Sequence, residues 1–130
     1  MKRELIDYRR NRAKETIEDA KILVDKGRLF SAVNRIYYAM FYEVTALLLT
    51  ENLSSSKHSG IRALFNEKFV KTGKVEIEMG RLFSRVYEFR EESDYKDFAE
   101  FELAKVKELL ESAERFIGEI EKIIEERIGR

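Results

Sequence analysis

Two short polar stretches hold the residues best suited to chemistry, residues 57–60 (KHSG) and residues 90–95 (REESDY). His58 is the only histidine of the chain, and it lies near the start of a predicted helix. Free backbone N–H groups at a helix start attract anions, so His58 could add a donor to a bound phosphate. It could also act as a base near neutral pH, or simply fill a polar corner. One histidine without cysteine leaves only carboxylates as further ligands, so we predict no metal site.

Arg90, Asp94 and Tyr95 lie close together at the predicted end of an apolar helix. The guanidinium of Arg90 is a planar, charged fork that suits phosphate. Asp94 could pair with Arg90 or cap the following segment, and the Tyr95 phenol would be within reach of both. The alternative is a structural Arg–Asp pair at a helix end. Arg90 and His58 are therefore the candidates for catalysis, and neither is assigned that role.

A third stretch, residues 34–42 (NRIYYAMFY), combines an arginine with several aromatic rings. On a helix Arg35 and Tyr38 are neighbours at i,i+3, and Tyr38 and Tyr42 are neighbours at i,i+4. Such rings could stack on a base while Arg35 holds a phosphate. Alternatively, this is a core helix whose tyrosines bury their rings and keep their hydroxyls at the edge.

The composition predicts one domain, residues 1–130, that is soluble and cytoplasmic. Acidic and basic residues balance at 25 each, so any nucleic-acid site must be a local patch. There are no cysteines and no run of ~20 apolar residues, so we expect neither disulfides nor a membrane span. The chain has no glycine-rich phosphate loop, HExxH motif or nucleophile elbow, and we expect no cofactor.

Apolar residues recur at helical spacing in five segments, and no segment alternates as a strand would. The predicted helices span approximately residues 3–26, 31–51, 58–71, 75–91 and 98–127. Short connections predict an all-α, up-and-down antiparallel bundle of four to five helices. The second segment is apolar around much of its circumference, and the last would be ~45 Å long. Both features favour a homodimer.

Three stretches together resemble a small branch of the HEPN family (higher eukaryotes and prokaryotes nucleotide-binding domains). They are NRIYYAMFYEVTALLL (34–49), SKHSGIRALFNEKFVKTG (56–73) and LFSRVYEFREESDY (82–95), and the resemblance covers approximately residues 8–125. It implies a dimerising four- or five-helix bundle whose polar motif faces a cleft between subunits.

The resemblance also implies two kinds of function. Many HEPN proteins are metal-independent ribonucleases in which four to six residues separate an arginine from a following histidine. Others are partners of minimal nucleotidyltransferases in toxin–antitoxin pairs, where a tyrosine near the motif receives AMP. Here positions 95–97 after Arg90 are Tyr, Lys and Asp, and positions 90–92 after Arg85 are Arg, Glu and Glu. The usual ribonuclease pair is missing, so we expect the site to bind rather than cut.

Three hypotheses follow. The first is a dimer that binds nucleotide or RNA and partners a nucleotidyltransferase, with Tyr95 as the modification candidate. The second is a ribonuclease that uses Arg90 with His58, because antiparallel helices place the start of one beside the end of the next. The third is a purely structural dimer or adaptor. The predicted nucleotide- or RNA-binding residues, expected to share one polar cleft, are Arg35, Tyr38, His58, Arg90, Asp94 and Tyr95.

Overall fold

The computed structural model describes residues 2–96 and 100–129, and across these ranges the chain is helical with no β-strand. The α-helices are α1 (Arg3–Asp25), α2 (Leu29–Leu49), α3 (His58–Phe65), α4 (Ile77–Tyr95) and α5 (Leu103–Ile128), with one π-helical turn at Asn66–Val70. The predicted all-α bundle is confirmed. None of the described helices is long and apolar enough to cross a membrane.

Helix α2 is the centre of the bundle, and α1, α4 and α5 all pack against it. The consecutive long helices run antiparallel: the Oγ of Ser93 at the end of α4 donates a hydrogen bond to the carbonyl of Phe30 at the start of α2. The apolar residues of α2 that the periodicity assigns to its core face are all buried, namely Val33, Ile36, Tyr37, Met40, Val44, Leu47 and Leu48. The core face of α2 is therefore covered within one chain, whereas Tyr38, Phe41 and Tyr42, which widen it, stay partly exposed.

Two helix ends differ from the predicted ones. Helix α4 continues to Tyr95, past the expected end near residue 91, because tertiary contacts of Ser93 and an ion pair of Asp94 with Arg90 hold its polar last turn. Helix α5 begins at Leu103, and residues 100–102 before it are not helical. The predicted start at Phe98 lies outside the described residues.

The predicted third helix is also interrupted, since α3 ends at Phe65 and continues as a π-helical turn. This wider turn brings Asn66 against α4. A Cβ at Gly80 would lie 2.9 Å from the Asn66 Oδ1, which is closer than side-chain atoms pack. A π-helical turn is an uncommon interruption, and here it allows close contact of the two segments.

One acidic side chain is enclosed among α1, α2 and α5. Glu43 is 1% exposed, and neither of its carboxyl oxygens has a hydrogen-bond donor among the described residues. Burial, followed by the neighbouring carboxylate of Glu121, raises the pKa of Glu43 to about 10. Glu121 itself accepts hydrogen bonds from the Arg10 Nε at 3.0 and 3.1 Å. Glu43 is therefore a neutral acid at pH 7, able to donate its proton to Glu121.

Candidate nucleotide-binding site

The guanidinium of Arg90 lies inside a cage of three tyrosine rings between α2 and α4. Its Cζ is 5.0 Å from the ring centre of Tyr37, 5.7 Å from that of Tyr38 and 5.3 Å from that of Tyr87. Tyr87 precedes Arg90 by one turn of α4, while Tyr37 and Tyr38 are consecutive on α2. The arginine is only 6% exposed. Cation–π contacts of this kind are stronger when water is excluded. The three rings therefore hold the Arg90 guanidinium in one position.

Two carboxylates complete the surroundings of Arg90. Its Nη1 donates to the Asp94 Oδ2 at 3.2 Å, and its Nη2 lies 3.6 Å from the Glu91 Oε1. Burial alone would lower the pKa of Arg90, but the Asp94 hydrogen bond and the charges of nearby groups raise it instead. The Nε is buried and has no hydrogen-bond partner among the described residues. The Arg–Asp pair that the sequence allowed is thus present, inside an aromatic cage.

His58 reaches the same cage from the start of α3. Its Nδ1 shares a hydrogen bond of 2.7 Å with the hydroxyl of Tyr37, and its ring stacks on Phe41 at 4.3 Å. Burial, then the positive charge of Arg90, lowers the pKa of His58 below its ordinary 6.5. Burial also raises the pKa of Tyr37, which stays a protonated phenol. His58 and Arg90 therefore both contact Tyr37, the histidine through the phenol hydroxyl and the arginine over the ring.

Arg35 joins this group through Tyr38 and Asn34. The Arg35 Cζ lies 5.1 Å from the Tyr38 ring centre, and its Nη2 donates to the Asn34 Oδ1 at 2.7 Å. The Asn34 amide in turn donates to Asp94 at 3.4 Å. Five of the six predicted site residues therefore form one connected group. Beside it lies a cleft of about 460 Å³, lined in part by Asn34, Arg35 and Asp94.

Tyr95, the sixth predicted residue, is at the last position of α4 and is 74% exposed. Among the described residues its hydroxyl bonds neither to Arg90 nor to Asp94, so the expectation that it reaches both is wrong. Successive helical residues turn by about 100°, so Tyr95 points away from the Arg90 side of α4. Its phenol is open to a large partner.

Three arginines other than Arg90, which we call the outer arginines, each stack on a tyrosine of α2 or α4. Sequence reasoning identified one of them, Arg35, and missed the other two. The stacks are Arg12 on Tyr42 (5.0 Å), Arg35 on Tyr38 (5.1 Å) and Arg62 on Tyr87 (4.1 Å). Within residues 2–96 and 100–129, none of these arginines forms an ion pair. Spacing along one helix could not reveal Arg12 or Arg62, because each meets a ring from another helix. In the same ranges no three acidic or histidine side chains lie close enough to hold a metal ion.

Comparison with known proteins identifies the family. The family model of the HEPN domain matches residues 6–123, nearly the whole chain. This chain belongs to the HEPN family. A relative from Thermotoga maritima, described as a UPF0332 protein, is 53% identical over 96% of this chain and 95% of its own length. Two proteins of Methanocaldococcus jannaschii are also similar. "Putative toxin MJ0142" is 32% identical over 87% of this chain and 77% of its own length, and "Putative toxin MJ0605" is 36% identical over 88% and 84%.

The HEPN resemblance proposed from three sequence stretches is thus confirmed. In this HEPN chain no histidine follows Arg90 at the spacing of the usual ribonuclease motif. The structure places a histidine near Arg90 by a different route, through α3 and the Tyr37 hydroxyl. Neither Tyr37 nor Tyr87 was predicted as a site residue. Tyr87 carried a detectable signal, since it precedes Arg90 by three residues on the same helix.

Proposed function

We propose that this HEPN chain binds nucleotide or RNA and acts in a toxin–antitoxin-type pair with a minimal nucleotidyltransferase. The observation that carries the proposal is the ring of arginine–tyrosine stacks around the Arg90 cage. Arginines without acidic partners attract phosphate, and neighbouring aromatic faces can stack on bases. The two relatives named as toxins support a role in such a pair.

Binding fits the central cage better than cleavage does. Arg90 is almost fully buried, and its guanidinium already bonds to Asp94. Arg90 and His58 both contact Tyr37, so each side chain already has a fixed partner inside the bundle. Catalytic groups act at hydrogen-bond range of the reacting atoms, and a displaced proton-transfer group loses rate steeply. The outer arginines are more exposed than Arg90, and their stacking on tyrosine rings suits a surface that binds phosphate and bases.

RNA binding is tested by fluorescence anisotropy with a labelled single-stranded RNA. We expect Arg35→Ala and Arg62→Ala each to raise the Kd about tenfold and to reduce its salt dependence, since each would remove a phosphate contact. Arg81→Ala is the matched control, because Arg81 lies on the α4 surface paired with Glu78 at 2.9 Å. If the control weakens binding as much as the two variants do, the stacked arginines have no special role.

The nucleotidyltransferase partnership is tested by incubating the protein with ATP and a candidate transferase. We expect the exposed Tyr95 phenol to attack the α-phosphorus of ATP, lose its proton and release pyrophosphate, so that mass spectrometry shows the addition of AMP to Tyr95. Tyr95→Phe should abolish the addition, whereas Tyr8→Phe, which removes another exposed phenol on α1, should not. Addition to Tyr8, or no addition with any transferase encoded beside this chain, would contradict the proposal.

A ribonuclease remains the second candidate, because His58 is held as a neutral imidazole near Arg90 and a neutral imidazole can accept a proton. The test is incubation of the protein with mixed RNA in the presence of a metal chelator. Cleavage that is lost in both His58→Ala and Arg90→Ala, with circular dichroism showing an intact fold, would establish the ribonuclease. We expect no such cleavage.

We further propose that the protein is a homodimer. The core face of α2 is covered within one chain, so the support comes from partly exposed aromatic residues of α2 and from exposed apolar side chains beside the site. Phe30 and Leu103 are nearly half exposed. The Phe30 ring packs edge-on against Phe101, with 5.2 Å between the two ring centres. Light scattering at micromolar concentration should give twice the 15.4 kDa chain mass. A monomer mass would refute the homodimer, and the proposal that the chain binds nucleotide or RNA would then stand without it.

A further inference from the structure

A second cleft lies on the other side of His58, between the start of α1, the second half of α2 and the loop before α3. Its volume is about 420 Å³, and we call it the α1 cleft. Its polar lining includes Lys2, Arg9, His58 and the three serines at 54–56, and the rest of its wall is largely apolar. No residue predicted from the sequence except His58 belongs to it.

The charge of the α1 cleft is one-sided. No acidic residue lines it. Within the described ranges neither Lys2 nor Arg9 forms an ion pair, whereas two other arginines of the same helix do, Arg3 with Asp7 and Arg10 with Glu121. In a chain with equal numbers of acids and bases, two uncompensated cations in one concave site create a local positive potential.

The serine loop is held in position by the KHSG turn. The backbone N–H of Lys57 donates to the Ser55 Oγ at 3.2 Å. Gly60 gives the loop room, because a Cβ there would lie 2.1 Å from the same Ser55 Oγ. Ser55 is therefore fixed beside the first turn of α3, in a loop whose three serines line the cleft.

We propose that the α1 cleft binds a nucleoside phosphate. Arg9 and Lys2 would bind the phosphate together with the serine hydroxyls, while the nucleoside would pack against the apolar wall that includes Phe41. The lining combines convergent cations and hydroxyls with an apolar side, so the cleft offers partners to both ends of a nucleoside phosphate. The inference rests on the proposed function, and it adds that the ligand site extends past His58 to α1. The ligand is a free mononucleotide or the phosphorylated terminal nucleotide of an RNA.

The experiment uses His58 as a reporter. Because it is the only histidine, its ring signals in a two-dimensional ¹H–¹⁵N NMR spectrum need no further assignment. The ligands are AMP and three short RNAs, one with a 5′-phosphate, one with a 3′-phosphate and one with neither. We expect AMP to shift the His58 ring signals. Arg9→Ala should raise the Kd for AMP at least about tenfold, the usual size of a lost charge-assisted contact.

Two further variants serve as a control and as a second test of the cleft. Arg3→Ala removes an arginine of the same helix that does not line the cleft, and it should bind AMP as the wild type does. Lys2→Ala repeats the test at an exposed position that contributes little to folding. If either phosphorylated RNA competes with AMP, the terminal nucleotide of RNA is a ligand; if only AMP binds, the ligand is a free nucleotide.

The inference is overturned if no ligand shifts the His58 signals, or if Arg9→Ala and Lys2→Ala both bind AMP and every RNA as tightly as the wild type. These outcomes are distinct from failure of the proposed function. RNA binding that needs Arg35 but not Arg9 refutes only the α1 cleft. AMP binding that needs Arg9, without RNA binding or modification of Tyr95, keeps the cleft and refutes the RNA-binding and nucleotidyltransferase parts of the proposed function.

Discussion

Replacing Glu43 by glutamine should stabilise this protein, and increasingly so as the pH rises. The pKa of Glu43 is about 10 in the folded chain, against an ordinary value of 4.5. The folded chain therefore keeps a proton that the unfolded chain releases above pH 4.5. The contribution of Glu43 to stability is therefore most favourable below pH 4.5, and it falls by about 1.4 kcal/mol per pH unit until the pH passes the folded pKa.

Glutamine has the same shape and no charge, so Glu43→Gln removes this dependence while its amide can still donate to Glu121. At pH 7 the variant should be more stable by on the order of 3 kcal/mol, a large share of the 5–15 kcal/mol of a typical domain. Urea denaturation followed by circular dichroism between pH 4 and pH 9 measures the difference. Glu108→Gln, an exposed glutamate on α5, is the control and should change stability by less than about 0.5 kcal/mol.

The pH dependence separates the ionisation argument from a packing argument. At pH 4 both Glu43 and its glutamine replacement are neutral, so the two proteins should unfold at nearly the same urea concentration. A stability difference that stays constant across the pH range would refute the reasoning. So would a variant that is less stable than the wild type at pH 8, because Glu43 would then be acting as a stabilising carboxylate.

The remaining predictions concern the site. NMR titration should give His58 a pKa below 6.5, and Arg90→Gln should move it only part of the way back, because burial is the larger cause. The same shift predicts that stability falls as the pH drops below 6.5, where the unfolded chain binds the proton more readily. Gly60→Ala should cost about 1–3 kcal/mol in urea denaturation, since its Cβ meets Ser55, and adding Ser55→Gly should restore most of the loss.

The helical core was predictable because burial on a helix repeats with a fixed period. Every α2 residue assigned to the core face is buried. The end of α4 was not predictable in the same way, because residues 91–94 are all polar and resemble a loop in sequence. They remain helical through contacts with distant residues, as the Ser93 hydrogen bond to Phe30 shows. Local pattern cannot report a stabilising contact that the tertiary fold supplies.

The candidate site was predictable only where topology constrains it. Antiparallel helices bring the start of α3 beside the end of α4, and the structure indeed places His58 and Arg90 on one ring. The stacks of Arg12 and Arg62 depend on the rotation of three helices about their axes, which no single sequence reveals. Glu43 carried a readable signal, since it lies one turn after Met40 on the core face of α2. A lone acid at such a position indicates either a buried partner or a raised pKa.

From the sequence, the tyrosines of α2 could be either core residues or binding-site residues, and Tyr37 is both. It is fully buried and stacks on Phe83, as a core residue does. The same ring also carries Arg90 on its face and bonds His58 through its hydroxyl. A buried phenol must satisfy its hydroxyl, and here the partner is the one histidine of the chain. The packing of the bundle and the placement of its polar groups are therefore a single arrangement, so Tyr37→Phe would separate the two roles: it keeps the ring in the core and releases His58.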